Sequence, residues 1–410
     1  MVDDQQDSRL EILDRIRTTV QEIFELESDG HKDARDLYSD EMAGFFIKTE
    51  DRSYTLLSEQ RENQSETLHS IHGARTEAFE KFVIPSKLKE LADEGAEVIK
   101  VLDICSGIGY NASAVLDYLK DSNVRIEIDM VESSIETLAA TLFVPNICES
   151  HSYIKKVIEN YLIEHEYLQF NKVLSSLPQN ITINIHVCDA REYLKNAPEK
   201  EYDAVFLDPF SPSKSPELYS IDFFKKLKEF LTPTALILTY TAASPVRSAI
   251  VGAGLYIGEG PQVKRSGGTI ASRFPDNIDT PLSFSDEKVI SLSDVGVPFM
   301  DSDLSDDFYT IIDRRQNIRD RIRGVTVFPS SNKLPRYLGL DPEKIEDKKL
   351  RNKLNNYVKE MGFSAINDPR ILKILQVDQN LPSRSQIIML EENLHNVLDE
   401  MKNENSNNDE

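Results

Sequence analysis

Cysteine is scarce in this chain of 410 residues: Cys105, Cys148 and Cys188 form no C-x-x-C pair and leave an odd one over. That count argues against a disulfide-stapled secreted fold and fits a reducing, cytoplasmic setting. Long apolar runs are missing too. No stretch approaches the roughly 20 residues needed to span a bilayer, so no membrane partner is expected. The opening, Met1-Val2-Asp3-Asp4-Gln5-Gln6-Asp7, is acidic and polar, unlike a secretory or transit peptide. Positive charge is in deficit, with a formal net charge of −23. A chain that is basic throughout, the usual signature of nucleic-acid binding, is thereby excluded. The acid is uneven, however, concentrating in residues 1–50 and 381–410. Basic residues gather at Lys264-Arg265 and from Arg314 to Arg323, which leaves room for a local basic surface.

What the chain does have is the composition of a globular protein, 40% hydrophobic and 29% charged, and a regular alternation of strand and helix patterns. Val98 to Leu102 reads as a buried strand ending in Asp103. A turn bearing Gly107 and Gly109 follows, then helical spacing over Ala112 to Leu119. Further strands are predicted at Arg125–Glu132, Ile181–Asp189, Tyr202–Asp208 and Ala235–Tyr240. Helical stretches are predicted over Ser133–Phe170, broken near Pro145, and over Ser244–Val251. Gly254–Ile257 and Thr269–Phe274 suggest a closing antiparallel hairpin. This alternation predicts an α/β fold, a mostly parallel sheet with helices on both faces.

The flanks read differently. Leu10, Leu13, Ile16, Val20, Ile23 and Phe24 recur at helical spacing, and Phe45–Lys48 with Tyr54–Leu57 predict a β-hairpin. Ala78–Leu91 reads as helix interrupted by Pro85. Beyond Phe274 the pattern loosens into Asp-, Ser- and Pro-rich sequence up to Asp307. Helices are predicted at Phe308–Ile322, Asp347–Met361 and Ser383–Met401, the last opened by a capping-box pattern, Ser383-Arg384-Ser385-Gln386. Three domains are expected: an N-terminal helix and hairpin region over 1–95, an α/β core over 96–275, and a partly helical extension over 276–410 with a frayed acidic tail.

Four strands end in acids, Asp103, Glu132, Asp189 and Asp208, and open α/β sheets bind ligands at the carboxyl ends of their strands. Any one such acid can simply cap the next helix. Four around one glycine loop point to a site. Gly107-Ile108-Gly109-Tyr110-Asn111-Ala112 satisfies the dinucleotide fingerprint G-x-G-x-x-A, with Glu132 near the distance expected of a ribose acid. S-adenosylmethionine sites of Rossmann-like methyltransferases share the glycine loop and ribose acid, and add acids where Asp103 and Asp189 stand. Charge decides between the two: a carboxylate-lined rim favours a cationic sulfonium and ammonium and repels a pyrophosphate. The expected cofactor is S-adenosyl-L-methionine, bound by Asp103, Gly107, Gly109, Tyr110, Asn111, Glu132, Asp189 and Ala190.

After the fourth strand, Asp208-Pro209-Phe210-Ser211-Pro212-Ser213-Lys214-Ser215-Pro216-Glu217-Leu218 resembles the Asp-Pro-Pro-aromatic loop with which amino-group methyltransferases hold a nitrogen. Together with His69-Ser70-Ile71-His72-Gly73-Ala74-Arg75-Thr76-Glu77-Ala78, Cys188-Asp189-Ala190-Arg191-Glu192 and Thr239-Tyr240-Thr241-Ala242-Ala243-Ser244-Pro245-Val246-Arg247, it resembles the MnmC-like methyltransferases. These finish the 5-methylaminomethyl group on the wobble uridine of tRNA. The likeness runs from about Phe45 to Phe274, and more weakly through Gly296–Phe299 to Arg323. It implies a class I, Rossmann-like methyltransferase acting on an aminomethyl nitrogen of tRNA, with Asp208, Pro209 and Phe210 at the chemical centre and Asp208 also beside the cofactor. A stand-alone form without the flavin oxidoreductase domain is expected. Two features depart from the family: Lys214-Ser215-Pro216 stands where it commonly has Lys-Asn-Pro, and Gly324 to Glu410 has no counterpart.

Other residues carry two readings. His69 and Glu77 can join the cofactor site or a lid over it. The His69-x-x-His72 spacing has no recognisable third ligand, so no metal is expected. Cys105 and Cys188 read as small apolar fillers beside the pocket. Tyr110 and Phe210 can stack on a base or close the core. The arginines from Arg314 to Arg323 can contact phosphates or form a salt-bridged face. Two alternative functions share the fold: an aminopropyltransferase acting on polyamines, and a non-catalytic RNA- or protein-binding module.

Overall fold

The computed structural model describes residues 14–56, 73–263 and 267–408. They form two compact units. The first is built from the chain up to Leu218 with residues 226–241 and 260–270, the second from residues 219–225, 242–259 and 271 onward.

The first unit holds the α/β core. β1 (Ile47–Lys48) and β2 (Tyr54–Thr55) pair antiparallel as the expected hairpin. Five longer strands follow: β3 (Val98–Ile104), β4 (Arg125–Glu132), β5 (Ile181–Val187), β6 (Tyr202–Leu207) and β7 (Leu231–Thr239). All four pairings among them are parallel, in the order β5-β4-β3-β6-β7. The order reverses between β3 and β6, where an open sheet leaves a crevice at its carboxyl edge. Strands buried on both faces need continuous apolar runs. β6 provides one: Ala204, Val205, Phe206 and Leu207 are all fully buried. Tyr256–Glu259 (β8) belongs to the second unit, and Thr269–Ser272 (β9) is a further short strand where the two units' residues meet in the chain.

The core is a mostly parallel sheet flanked by helices, as the alternation predicted. Residues Ile16, Val20 and Ile23 of the helix Asp14–Ser28 are buried, which accounts for the periodicity read there; Leu10 and Leu13 lie outside the described residues. The stretch read as helix over Ser133–Phe170 is two helices, Ile135–Ala140 and His151–Glu164, with a break around Pro145. Pro85 interrupts the next such stretch, as expected: it sits in a 3₁₀ turn, Ile84–Ser86, before the helix Leu88–Asp93.

The second unit is largely helical. Its core gathers Leu292, Phe328, Leu354, Val358, Phe363, Ile371, Leu390 and Leu394, among others. Phe308–Ile322, Lys348–Glu360 and Ser383–Asn408 form at the expected places. The capping box at Ser383 does not. Ser383 Oγ accepts from the Leu282 N–H at 2.8 Å, and the Gln386 amide donates to the Gln379 and Leu381 carbonyls. The helix Phe284–Leu292 lies in the stretch read as irregular; Ser283 caps it, accepting from Asp286 N–H. Among the described residues no helix is long and apolar enough to cross a membrane.

Candidate active site

The pocket at the switch point is lined by Cys105, Gly107, Val131, Glu132, Ser133, Ser134, Thr137, Cys188, Asp189, Ala190, Asp208, Pro209, Phe210, Ser215, Glu217 and Leu218. The carboxyl ends of β3, β4, β5 and β6 all contribute, as the strand-end acids predicted.

The loop after β3 is built for a tight turn. Cys105, Gly107 and Gly109 take positive φ of 60°, 53° and 74°. A Cβ on Gly109 would come within 2.5 Å of Ile154 Cγ2, so glycine is required there for both conformation and space. The Cys105 and Ser106 N–H groups donate to Val131 O at 2.9 and 3.1 Å, which fastens the loop to the end of β4.

Glu132 is the second anchor of that loop. Its Oε2 accepts from Gly107 N–H at 3.0 Å and its Oε1 from Ser134 N–H at 3.0 Å. Burial raises its carboxyl above the ordinary range while these N–H groups oppose the rise. The Ser133 hydroxyl adds a third, long bond at 3.5 Å, and the carboxylate still keeps lone-pair capacity toward the pocket. Asp189 plays two parts. It caps the helix Ala190–Asn196 through Arg191 N–H at 2.8 Å, and it holds the Arg191 guanidinium through Nη2 at 2.9 Å. The capping reading left open for it is therefore realised, while the side chain still lines the pocket.

Asp208 leaves β6 beside the loop. Its N–H donates to Ile104 O at 3.2 Å, and its Oδ2 accepts from Asn111 Nδ2 at 3.0 Å. Burial, then the charges of Glu77 and Asp103, push its carboxyl well above the ordinary range; Asn111 and Lys81 oppose them. Asp103 is fully enclosed, and its oxygens meet the Asn111 amide and the Ala112 N–H outside normal hydrogen-bond geometry. Burial pushes its carboxyl up to about 7 against the opposing pull of Asn111 and the Ala112 N–H, with the charge of Glu132 adding to the rise. Glu77 accepts from Lys81 Nζ at 2.9 Å. The turn of its helix, Ala74–Glu77, starts at Gly73, which has no side chain to cap it. Asp51 of the hairpin supplies the cap instead, its Oδ2 accepting from Thr76 N–H at 2.8 Å and Thr76 Oγ1 at 2.9 Å.

Of the predicted site residues, Gly107, Glu132, Asp189, Ala190, Asp208, Pro209 and Phe210 line one pocket. Asp103, Gly109, Tyr110, Asn111 and Glu77 do not. The Tyr110 ring is fully buried, edge-on to His151 at 5.1 Å, so of its two readings it takes the core one. His69 and His72 lie outside the described residues. Cys105 and Cys188 both line the pocket, and burial raises both thiols, Cys105 well above the usual range beside Glu132 and Asp208. Neither is set up as a nucleophile. Ser133, Ser134 and Thr137 were missed. A signal was there: Ser134-Ile135-Glu136-Thr137 directly after a strand-end acid is an N-cap pattern, and Ser134 Oγ accepts from Thr137 N–H at 3.0 Å.

The arginine stripe turns inward. Arg314 donates to Met300 O and Asp306, Arg315 to Val297 O and Val295 O, and Arg319 to Asp294, which is fully buried. These three clamp the segment from Asp294 to Asp306, as in the salt-bridged reading, while Arg321 and Arg323 remain exposed.

The donor set fits a cationic ligand bearing a diol: the Glu132, Asp189 and Asp208 carboxylates line the pocket together with Gly107 of the tight loop. The model of the S-adenosyl-L-methionine-dependent methyltransferase family matches residues 148–273. An uncharacterized protein of Methanocaldococcus jannaschii is 36% identical over 278 residues, covering 68% of this chain and 73% of that protein. The tRNA 5-methylaminomethyl-2-thiouridine biosynthesis bifunctional protein MnmC of Pseudomonas savastanoi is 24% identical over 199 residues, 46% of this chain but 29% of that longer protein. The crystal structure of MnmC2 from Aquifex aeolicus is similar at a TM-score of 0.55 and 26% identity, covering 70% of this chain and 91% of that one. The pocket's chemistry and these likenesses agree: the chain belongs to the S-adenosyl-L-methionine-dependent methyltransferases, in their MnmC-like branch, and S-adenosylmethionine is its cofactor.

Proposed function

We propose that this enzyme methylates an amine nitrogen, the aminomethyl group of a modified wobble uridine in tRNA, in the cytoplasm. The observation that carries the reading is that Asp208, Pro209 and Phe210 line the same pocket as Gly107, Glu132, Asp189 and Ala190. The likeness to MnmC proteins, named for tRNA 5-methylaminomethyl-2-thiouridine biosynthesis, supports the substrate.

In this reading Glu132 takes the ribose diol, the N–H groups of the loop at Gly107 and Gly109 approach the cofactor backbone, and Asp189 with Ala190 borders the adenine. Asp103 sits behind the loop, and Glu77, whose charge acts on Asp208, borders the chemical side. When bound, S-adenosylmethionine supplies the methyl group and leaves as a neutral thioether. The chain must do the rest. An ammonium has no lone pair, so one proton has to leave the nitrogen first. Asp208, whose acidity burial and Glu77 weaken, is a suitable acceptor. The nitrogen–carbon bond then forms as the sulfur–carbon bond breaks, and the product is a secondary ammonium. Charge balances: two cations and one carboxylate become one cation, a neutral thioether and one carboxylic acid. Phe210 packs on the base and holds the nitrogen in line.

Mass spectrometry of tRNA nucleosides from a strain lacking the protein tests this. The expected result is accumulation of the unmethylated aminomethyl uridine, converted by the purified protein with S-adenosylmethionine. An unchanged nucleoside profile in the deletion strain, with no conversion in vitro, overturns it.

A further inference from the structure

The helix behind the glycine loop, Tyr110–Tyr118, begins with a buried asparagine. Asn111 is 3% exposed and does not line the pocket. Its Nδ2 donates to Asp208 Oδ2 at 3.0 Å, across 97 residues of chain. Its Oδ1 is buried without a hydrogen-bond partner among the described residues. As a filler this is a poor choice, because an enclosed amide with an orphaned acceptor is less stable than a leucine of similar volume. What the amide does achieve is orientation. It occupies one oxygen of Asp208, and the other has no such bond among the described residues.

We propose that Asn111 is a positioning residue for methyl transfer: it fixes Oδ2 of Asp208 so that Oδ1 faces the nitrogen to be methylated. This rests on the amine reading above. The groups that face Asp208 are Glu77 and Lys81 from the segment beginning at Ala74, and Asp103 at the end of β3. Glu77 and Asp103 favour the protonated acid. Asn111 and Lys81 favour the carboxylate, and of the two only Asn111 is bonded to Asp208, which sets its direction. Loss of the amide therefore has two consequences together. The carboxylate loses its fixed rotamer, and it becomes a weaker acid still.

The test uses the full chain with Asn111→Leu and Asn111→Ala, which remove the donor, and Asn111→Ser, which keeps a shorter one. Calorimetry with S-adenosylmethionine is expected to give affinities within about threefold of wild type. The methyl-transfer kcat of the Leu and Ala variants falls about 10- to 100-fold at unchanged KM for tRNA, with its acidic limb moved to higher pH. Asn111→Ser recovers part of both. The Asp208 side-chain carbon, followed by NMR against pH in cofactor-loaded protein without tRNA, titrates at higher pH in the Leu and Ala variants. An Asp208 titration that stays put in folded donor-less variants overturns the proposal. So does cofactor affinity that falls as far as kcat, which would make Asn111 a cofactor contact. Because the titration is read without substrate, a wild-type protein inert toward tRNA with a titration that moves overturns the substrate reading and leaves the positioning contact in place.

Discussion

Glu132 and Asp189, at the ends of β4 and β5, meet the pocket already engaged by backbone N–H groups, whereas Asp103 and Asp208, at the ends of β3 and β6, are enclosed on either side of the Asn111 amide, where burial outweighs its help. The first pair are fixed by those N–H groups and keep oxygens toward the pocket, although burial still raises Glu132 above the ordinary range. The second pair are weak acids, one pushed up to about 7 and the other well above the ordinary range. Strand-end acids that look equivalent in sequence thus meet different surroundings: two held by backbone N–H groups at the pocket, two enclosed beside the Asn111 amide.

The comparison breaks first at Asp208. Asp208→Ala is expected to lower methyl transfer about 1000-fold while leaving S-adenosylmethionine affinity within a few fold, read by single-turnover assays and calorimetry. A large loss of affinity instead would place Asp208 on the cofactor side. Glu132→Ala should do the reverse. Losing hydrogen bonds to a charged group weakens cofactor binding about 10- to 100-fold, and saturating cofactor should restore most of kcat. If binding heat is unchanged, the ribose assignment fails.

Asp103 sharpens the comparison through pH. Its folded carboxyl titrates at about 7, against about 4 in the unfolded chain. The folded state therefore holds a proton that the unfolded state has released. The stability this contributes is complete in acid and is lost as pH rises towards and through 7. Asp103→Asn cannot ionise. The melting temperature of cofactor-free wild type, relative to that variant, should fall between pH 4 and pH 8; a difference that stays flat means Asp103 is not the buried acid described.

Much of this was legible in the chain. The parallel strands announced themselves because a strand buried on both faces needs a continuous apolar run, as in Ala204 to Leu207. The acids that follow such runs had to emerge at one edge. What was not legible depends on distant partners. No local pattern connects Asn111 to Asp208 across 97 residues. The arginines of Phe308–Ile322 look like a surface stripe, because the carbonyls they hold, at Val295, Val297 and Met300, belong to a segment with no periodicity. The capping box at Ser383 failed for the same reason: Leu282 N–H took the hydroxyl first. Tyr110 gave no sign of direction, since an aromatic at a helix start packs inward or outward according to its neighbours, here His151.

The smallest effect falls on Asp189, which caps a helix and lines the pocket, and it separates the two. Asp189→Ala removes the cap of Ala190–Asn196 and the ion pair with Arg191, and should cost about 1 kcal/mol of stability. Asp189→Ser keeps a capping oxygen for Arg191 N–H but offers the pocket no carboxylate. Its stability should stay within about 0.5 kcal/mol of wild type, because serine and aspartate cap about equally well. If Asp189 also serves the cofactor, the Ser variant still binds S-adenosylmethionine a few fold more weakly, by roughly the value of one lost charged hydrogen bond. Denaturation and calorimetry on the same two variants read both quantities. Full cofactor affinity in Asp189→Ser would make Asp189 a helix cap and nothing more, and would leave Glu132 as the acid that faces the cofactor on that side of the rim.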